Sequence, residues 1–115
     1  MTAEEIRLWL EDELANFPQR ASGEEVYDYL VRRTAPLVES DRNALVGAMS
    51  SWLQMRSETG PQTMLALEIV GKHRLKELRH ELDGLLRDIR QGKAFLPYYE
   101  RWVIAALNQL ERADE

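Results

Sequence analysis

Apolar residues recur along this chain at spacings of three and four, and no segment sustains alternation with period two, a pattern of amphipathic helices rather than strands. The first stripe is Ile6, Trp9, Leu10, Leu14 and Phe17. Thr2 precedes it with Glu5 three residues on, so hydroxyl and carboxylate can each satisfy a backbone N–H that a helix start leaves unpaired, and Pro18 ends the element. A second start falls at Ser22 with Glu25 in the same relation, and Val26, Tyr27, Leu30 and Val31 form its inward side. Pro36 predicts a stop near Thr34, because proline biases the residue before it away from helical angles. Ser40 or Asp41 then caps a third helix, predicted to reach about Ser57 and to bury Leu45, Met49, Trp52 and Leu53.

Gly60-Pro61 breaks the chain, and Pro61 suits the first turn of a fourth helix, where its missing N–H costs nothing. That helix carries Met64, Leu65, Leu67, Ile69 and Val70, apolar nearly all round, which predicts the most buried element, with Gly71 at its end. The fifth stripe, Leu75, Leu78, Leu82, Leu85, Leu86 and Ile89, is the cleanest in the chain. Arg87 and Arg90 fall in its last turn, facing the negative end of the helix dipole, and Gly92 is its C-terminal cap. Pro97 opens a sixth helix with Tyr99, Trp102, Val103, Ala106, Leu107 and Leu110 inward and Asn108, Glu111 and Arg112 outward.

Short links between such helices predict antiparallel neighbours, in either a closed bundle or a stack of helical hairpins. The stretch TMLALEIVGKHRLKELRHELDGLLRDI resembles a HEAT-type repeat: a helix with small and aliphatic residues (Ala66, Leu67, Ile69, Val70), a tight turn around Gly71, then the Leu-rich ELRHELDGLLRD. The likeness covers roughly residues 61–91; it lacks the Pro before the second helix and the Asp-x-x-Val-Arg segment of many such repeats. The resemblance implies a short αα array that binds macromolecules through an exposed helical face rather than catalysing a reaction.

A chain of 115 residues that is 44% hydrophobic, 30% charged and 8% aromatic can bury one core, which predicts a single domain over residues 1–115 and argues against disorder. The lack of cysteine removes disulfides, thiolate nucleophiles and Cys-based metal sites. The start MTAEEIRLWLEDELANF has neither a basic n-region nor a cleavable apolar run, and no stretch is apolar for long enough to span a bilayer, so the expected compartment is the cytoplasm, without membrane association. A net charge of −5 disfavours general affinity for nucleic acid. The charge is uneven: Glu4, Glu5, Glu11, Asp12, Glu13, Glu24, Glu25 and Asp28 crowd the first thirty residues against only Arg7 and Arg20, a patch that could orient a partner or a second copy in a homodimer.

Residues 67–92, LEIVGKHRLKELRHELDGLLRDIRQG, hold both histidines among six Arg and Lys. On one continuous helix His73, Glu77 and His80 would share a side and could hold a divalent metal, but the His-Glu-x-x-His spacing of zinc proteases is absent and a turn near Gly71 would separate His73 from His80. The cations Lys72, Arg74, Lys76, Arg79, Arg87, Arg90 and Lys93 are interleaved with Glu77, Glu81, Asp83 and Asp88, as on a solvated face with pairs such as Asp83 and Arg87. Glu68 lies on the most apolar helix, within reach of Lys72 four residues on. The densest aromatic stretch is AFLPYYERW. Tyr99 and Trp102 belong to the inward stripe, whereas Phe95 and Tyr98 lie at its edge or outside it beside Arg101, an association typical of interaction hot spots. Phosphate loops and nucleophile elbows are missing, and no cofactor is implied.

The pattern therefore predicts an all-α protein of about six antiparallel helices, a HEAT-like superhelix or an irregular bundle, acting as a non-catalytic protein-interaction module of adaptor or inhibitor type. Its expected partner-binding residues are Phe95, Tyr98 and Arg101 with the helix-five cations Lys76, Arg79, Arg87 and Arg90. The alternative is nucleic-acid binding through the basic face of residues 72–93.

Overall fold

The computed structural model describes residues 1–17, 23–55, 60–95 and 97–112. Among them run α1 (Ala3–Asn16), α2 (Gly23–Ser40), α3 (Arg42–Gln54), α4 (Gly60–His73), α5 (Arg79–Arg90) and α6 (Glu100–Arg112), with short 3-10 turns at Lys76–Leu78 and Pro97–Tyr99. No strand occurs among the described residues. Pro18, Ser22 and Ser57, which bear on predicted boundaries, lie outside the described residues.

Local signals set several ends as the sequence predicts. Glu5 N–H donates to Thr2 Oγ1 at 3.1 Å while Thr2 N–H donates to Glu5 Oε1 at 3.1 Å, the reciprocal capping box. At the end of α5, Gly92 adopts φ +73°, and the bonds Gly92 N–H to Ile89 O (3.1 Å) and Lys93 N–H to Asp88 O (2.8 Å) close a Schellman motif. Asp41 precedes α3 but its side chain makes no capping bond; its Oδ2 accepts from Ser40 Oγ at 3.1 Å.

Two predicted ends are corrected. α2 continues through Pro36 to Ser40 instead of stopping near Thr34. A proline inside a helix removes one ladder bond and costs roughly 3 kcal/mol, but this one sits in the last turns, where continuation lays Leu37 and Val38 half-buried on the core, on the order of 1 kcal/mol each. Side chains add bonds around the proline: Thr34 Oγ1 donates to the carbonyls of Leu30 (3.0 Å) and Val31 (2.9 Å), and Ser40 Oγ donates to Pro36 O at 3.1 Å.

α4 likewise passes through Gly71 and ends at His73. The left-handed residue that terminates it is Arg74, φ +55°, with Arg74 N–H bonded to Gly71 O (3.3 Å) and Leu75 N–H to Val70 O (3.0 Å). Gly71 is buried against α6: a Cβ there would run into the side-chain amide of Gln109 and lie 3.5 Å from Ala106 Cα. Its lack of a side chain lets the two helices approach, and the chain turns three residues later.

The helices form two layers. α1 packs on α3 and α3 on α5, while α2 packs on α4 and α4 on α6; the pairs α3 with α4, α5 with α6 and α2 with α3 join the layers. Between them lies one core in which Leu45, Met49, Trp52, Leu65, Ile69, Leu75, Leu82 and Val103 are completely buried. As predicted, α4 contributes heavily, burying Thr63, Leu65, Ala66, Leu67, Ile69, Val70 and Gly71. Within residues 61–91, α4 makes its main contacts with α6, α2 and α3, and nothing in this packing points to a HEAT-type unit. A Cα radius of gyration of 13.4 Å matches the value of about 13 Å expected for a compact domain of this length, so the all-α fold is a compact globule consistent with a bundle.

Candidate functional site

The aromatic corner begins where α5 stops. After Gly92 the chain buries Ala94 and places Phe95 at φ +43°, a left-handed conformation that costs a residue with a Cβ about 1–2 kcal/mol. That turn lays the Phe95 ring on Tyr99, with centroids 4.9 Å apart and planes 30° apart. Tyr98 stacks on the other neighbour of the series, 4.9 Å from Tyr99, and meets Trp102 edge-on at 5.6 Å. Tyr99 and Trp102 are themselves edge-to-face at 5.3 Å. Such pairs are worth about 0.5–1.5 kcal/mol each beyond area burial, so each ring favours its place in the cluster.

Exposure separates these rings. Phe95, Tyr99 and Trp102 are half-buried and pack on the core, whereas Tyr98 keeps 52% of its surface in solvent. Burial, followed by the neighbouring Tyr98, pushes the Tyr99 phenol up. Arg101 is exposed beside Tyr98, and together with Pro97, Glu100 and Ile104 these two residues line an open groove.

The helix-five cations do not converge. Arg79 reaches Glu111 at 2.9 Å and Arg90 reaches Glu100 at 2.8 Å, so both clamp α5 to α6 and are neutralised there. Their positions, eleven residues apart, put them about 16 Å from each other along the helix. Lys76 and Arg87 are exposed, and no ion pair joins Asp83 to Arg87 among the described residues. Exposed pairs such as these contribute about 0–1 kcal/mol each, yet each removes a cation from a phosphate-binding face.

The histidine trio is dispersed by the turn at Arg74. His73 is half-buried under α2, its Nε2 2.9 Å from Val31 O and 3.0 Å from Thr34 Oγ1; with the proton on Nε2 it donates to both. Burial lowers its pKa, opposed by the bond to Val31. Glu77 turns to Arg42, accepting from Nε at 2.7 Å and from Nη2 at 2.9 Å, which holds its carboxyl below the usual range. The same guanidinium donates to Arg74 O at 3.4 Å, tying the start of α3 to the turn after α4. His80 is exposed on α5. Among the described residues no group of three His, Cys, Asp or Glu side chains could hold a metal ion, and no described helix is long and apolar enough to cross a membrane.

A second concavity, which the linear pattern did not mark, opens across α2, α4 and α6 and is lined by Glu24, Tyr27, Asp28, Met64, Glu68, Lys72 and Trp102. Glu68 is half-buried there, and no ion pair joins it to Lys72 among the described residues. The only trace of this site in the sequence was an acid on an apolar helix; its other walls come from helices far apart in the chain. No protein-family model matches the chain, and no curated protein or solved structure matches it either.

Proposed function

We propose that the protein is a non-catalytic interaction module that presents a preformed helical surface to a protein partner, with Phe95, Tyr98 and Arg101 as the anchor. The observation that carries this reading is Tyr98: it is held by two aromatic neighbours and still exposes 52% of its surface. A ring already ordered loses little conformational entropy when a partner covers it, which is the property of an interface hot spot. Strained backbone at Phe95 supports the same corner, because the fold maintains an unfavourable φ to keep the stack in place. Arg101 adds a guanidinium next to the exposed ring. Neutralisation of Arg79 and Arg90 by α6 carboxylates weighs against the nucleic-acid alternative for this face.

The test is capture of partners by the tagged protein from its native lysate, with and without nuclease, alongside the double variant Tyr98→Ala/Arg101→Ala. The expected result is a stoichiometric protein that survives nuclease and is lost with the double variant, whose unfolding midpoint stays nearly unchanged. Recovery of nucleic acid alone, with steep salt dependence, would overturn the reading in favour of the basic face. A large fall in stability would place Tyr98 and Arg101 in the packing instead of an interface.

A further inference from the structure

The groove between α2, α4 and α6 joins two kinds of wall. Tyr27 and Trp102 contribute half-buried aromatic rings and Met64 a polarisable thioether, while Glu24, Asp28 and Glu68 contribute carboxylates. Among the described residues Lys72 is the one basic residue on its rim, and it makes no ion pair with any of the three acids. Aromatic faces attract cations through their quadrupoles, and thioethers tolerate alkyl chains, so this combination is selective for a positive charge on an apolar stem.

The protein already uses that chemistry once. On another face the guanidinium of Arg33 sits 5.6 Å from the Trp9 ring and 5.6 Å from the Tyr29 ring, and its Nη1 donates to the Tyr29 hydroxyl at 2.8 Å. There a Trp and a Tyr from neighbouring helices are bridged by an internal cation. No Arg or Lys among the described residues lies over Tyr27 or Trp102 in this way. The Tyr27 phenol is raised first by burial and then by the nearby Tyr99 and Glu68, which places an acid close to the ring within the groove.

The arrangement of the acids points to more than one ligand charge. Glu24 and Asp28 are one helical turn apart on α2, about 6 Å along the axis, and Glu68 lines the same groove from α4 together with Tyr27, Met64 and Trp102. Several carboxylates in a groove that is also lined by rings and a thioether match several amines joined by methylenes. The groove, open to solvent, has a volume of about 350 Å³, at the lower end of the roughly 300–1,000 Å³ of small-molecule sites. We propose that this groove binds a linear polyamine, its ammonium groups on Glu24, Asp28 and Glu68 and its methylene chain against Tyr27, Met64 and Trp102. The groove shares Trp102 with the aromatic cluster but includes none of Phe95, Tyr98 and Arg101, so the loss of partner binding at that corner and the loss of polyamine binding here are read by different variants.

The test is an NMR titration of the full chain with spermidine at constant ionic strength, following the Trp102 indole N–H and the Met64 methyl, with Trp102→Phe used to assign the indole signal. Saturable shifts at Trp102 and Met64, with Trp9 and Trp52 unmoved, are the expected result. Asp28→Asn/Glu68→Gln should weaken the apparent Kd at least tenfold while leaving the melting curve in place. Parallel titrations use magnesium ion and a capped lysine-containing peptide. The proposal is overturned by shifts that do not saturate, by shifts unchanged in the double variant, by magnesium reproducing them at equal ionic strength, or by the peptide binding more tightly than spermidine, which would assign the groove to a protein side chain.

Discussion

Gly71 offers a substitution whose sign depends on where the helix ends. Were it the left-handed residue that stops α4, an alanine there would cost roughly 1 kcal/mol or more, because a Cβ disfavours that conformation. In the structure it is a buried interior residue of α4, and Arg74 at φ +55° is the left-handed one. Replacing an interior glycine by alanine gains about 1 kcal/mol of helix propensity. Against that gain stands the Gln109 side chain, whose amide occupies the position of the new methyl, whereas the nearest backbone atom, Ala106 Cα, is at a comfortable 3.5 Å. Gln109 is the flexible end of a long side chain, and moving it to another rotamer costs about 0.5–1 kcal/mol. Gly71→Ala is therefore expected to fall between neutral and about 1 kcal/mol stabilising. In the Gln109→Ala background, where nothing obstructs the methyl, it should gain close to the full ~1 kcal/mol. The companion Arg74→Gly should gain about 0.5 kcal/mol, the relief of a left-handed non-glycine less the entropy that glycine adds to the unfolded chain. Urea unfolding followed by far-UV circular dichroism, with m-values compared to confirm like-for-like transitions, reads all three. A loss of more than about 1 kcal/mol for Gly71→Ala in the Gln109→Ala background would refute the placement of Gly71 inside α4 and the packing of α6 against it.

Other expectations follow from single contacts. His73→Ala removes the donor shared by Val31 O and Thr34 Oγ1 and should cost about 1 kcal/mol near neutral pH. Because burial depresses the imidazole below its ordinary 6.5, the unfolded chain binds the proton more readily. His73 therefore contributes its full stability above about pH 6.5 and loses it as the pH falls through its folded value; His73→Gln should flatten that part of a stability-versus-pH curve. Glu77→Gln breaks the two bonds to Arg42 and should cost no more than about 1 kcal/mol, since both side chains are some 40% exposed (39% and 41%). The Glu77 carboxyl is held below 4.5, so its contribution is complete above that pH and disappears on further acidification, a slope that Glu77→Gln and high salt should both remove. Leu82→Ala, at a position with no exposed surface, should lower the unfolding free energy by about 2–5 kcal/mol in the same urea assay; a loss below 1 kcal/mol would mean that α5 is not seated on the core.

What the sequence by itself determined is local. The Thr2–Glu5 box, the stop at Gly92, and the stripes that bury Leu45, Met49, Trp52 and Leu53 on α3 and Leu82, Leu85 and Ile89 on α5, with Leu75 and Leu78 at the 3-10 turn before it, depend on residues a turn or two apart, so their spacing is enough to read them. Tertiary packing decided the rest. Pro36 and Gly71 both punctuate a helix in isolation, yet core contacts of Leu37 and Val38 carry α2 past the first, and α4 continues through the second, which is buried against the Gln109 side chain of α6. Phe95 and Tyr98 were legible as an aromatic cluster, but which ring stays exposed follows from the turn at Phe95 and the packing of Tyr99 and Trp102. Arg79 and Arg90 read as a free basic face until the fold brings Glu111 and Glu100 against them from 32 and 10 residues away. The groove of Tyr27, Glu68 and Trp102 left only one linear sign, the acid on the most apolar helix, because its walls come from three helices and a periodic pattern records which side of a helix turns inward without recording which helix meets it.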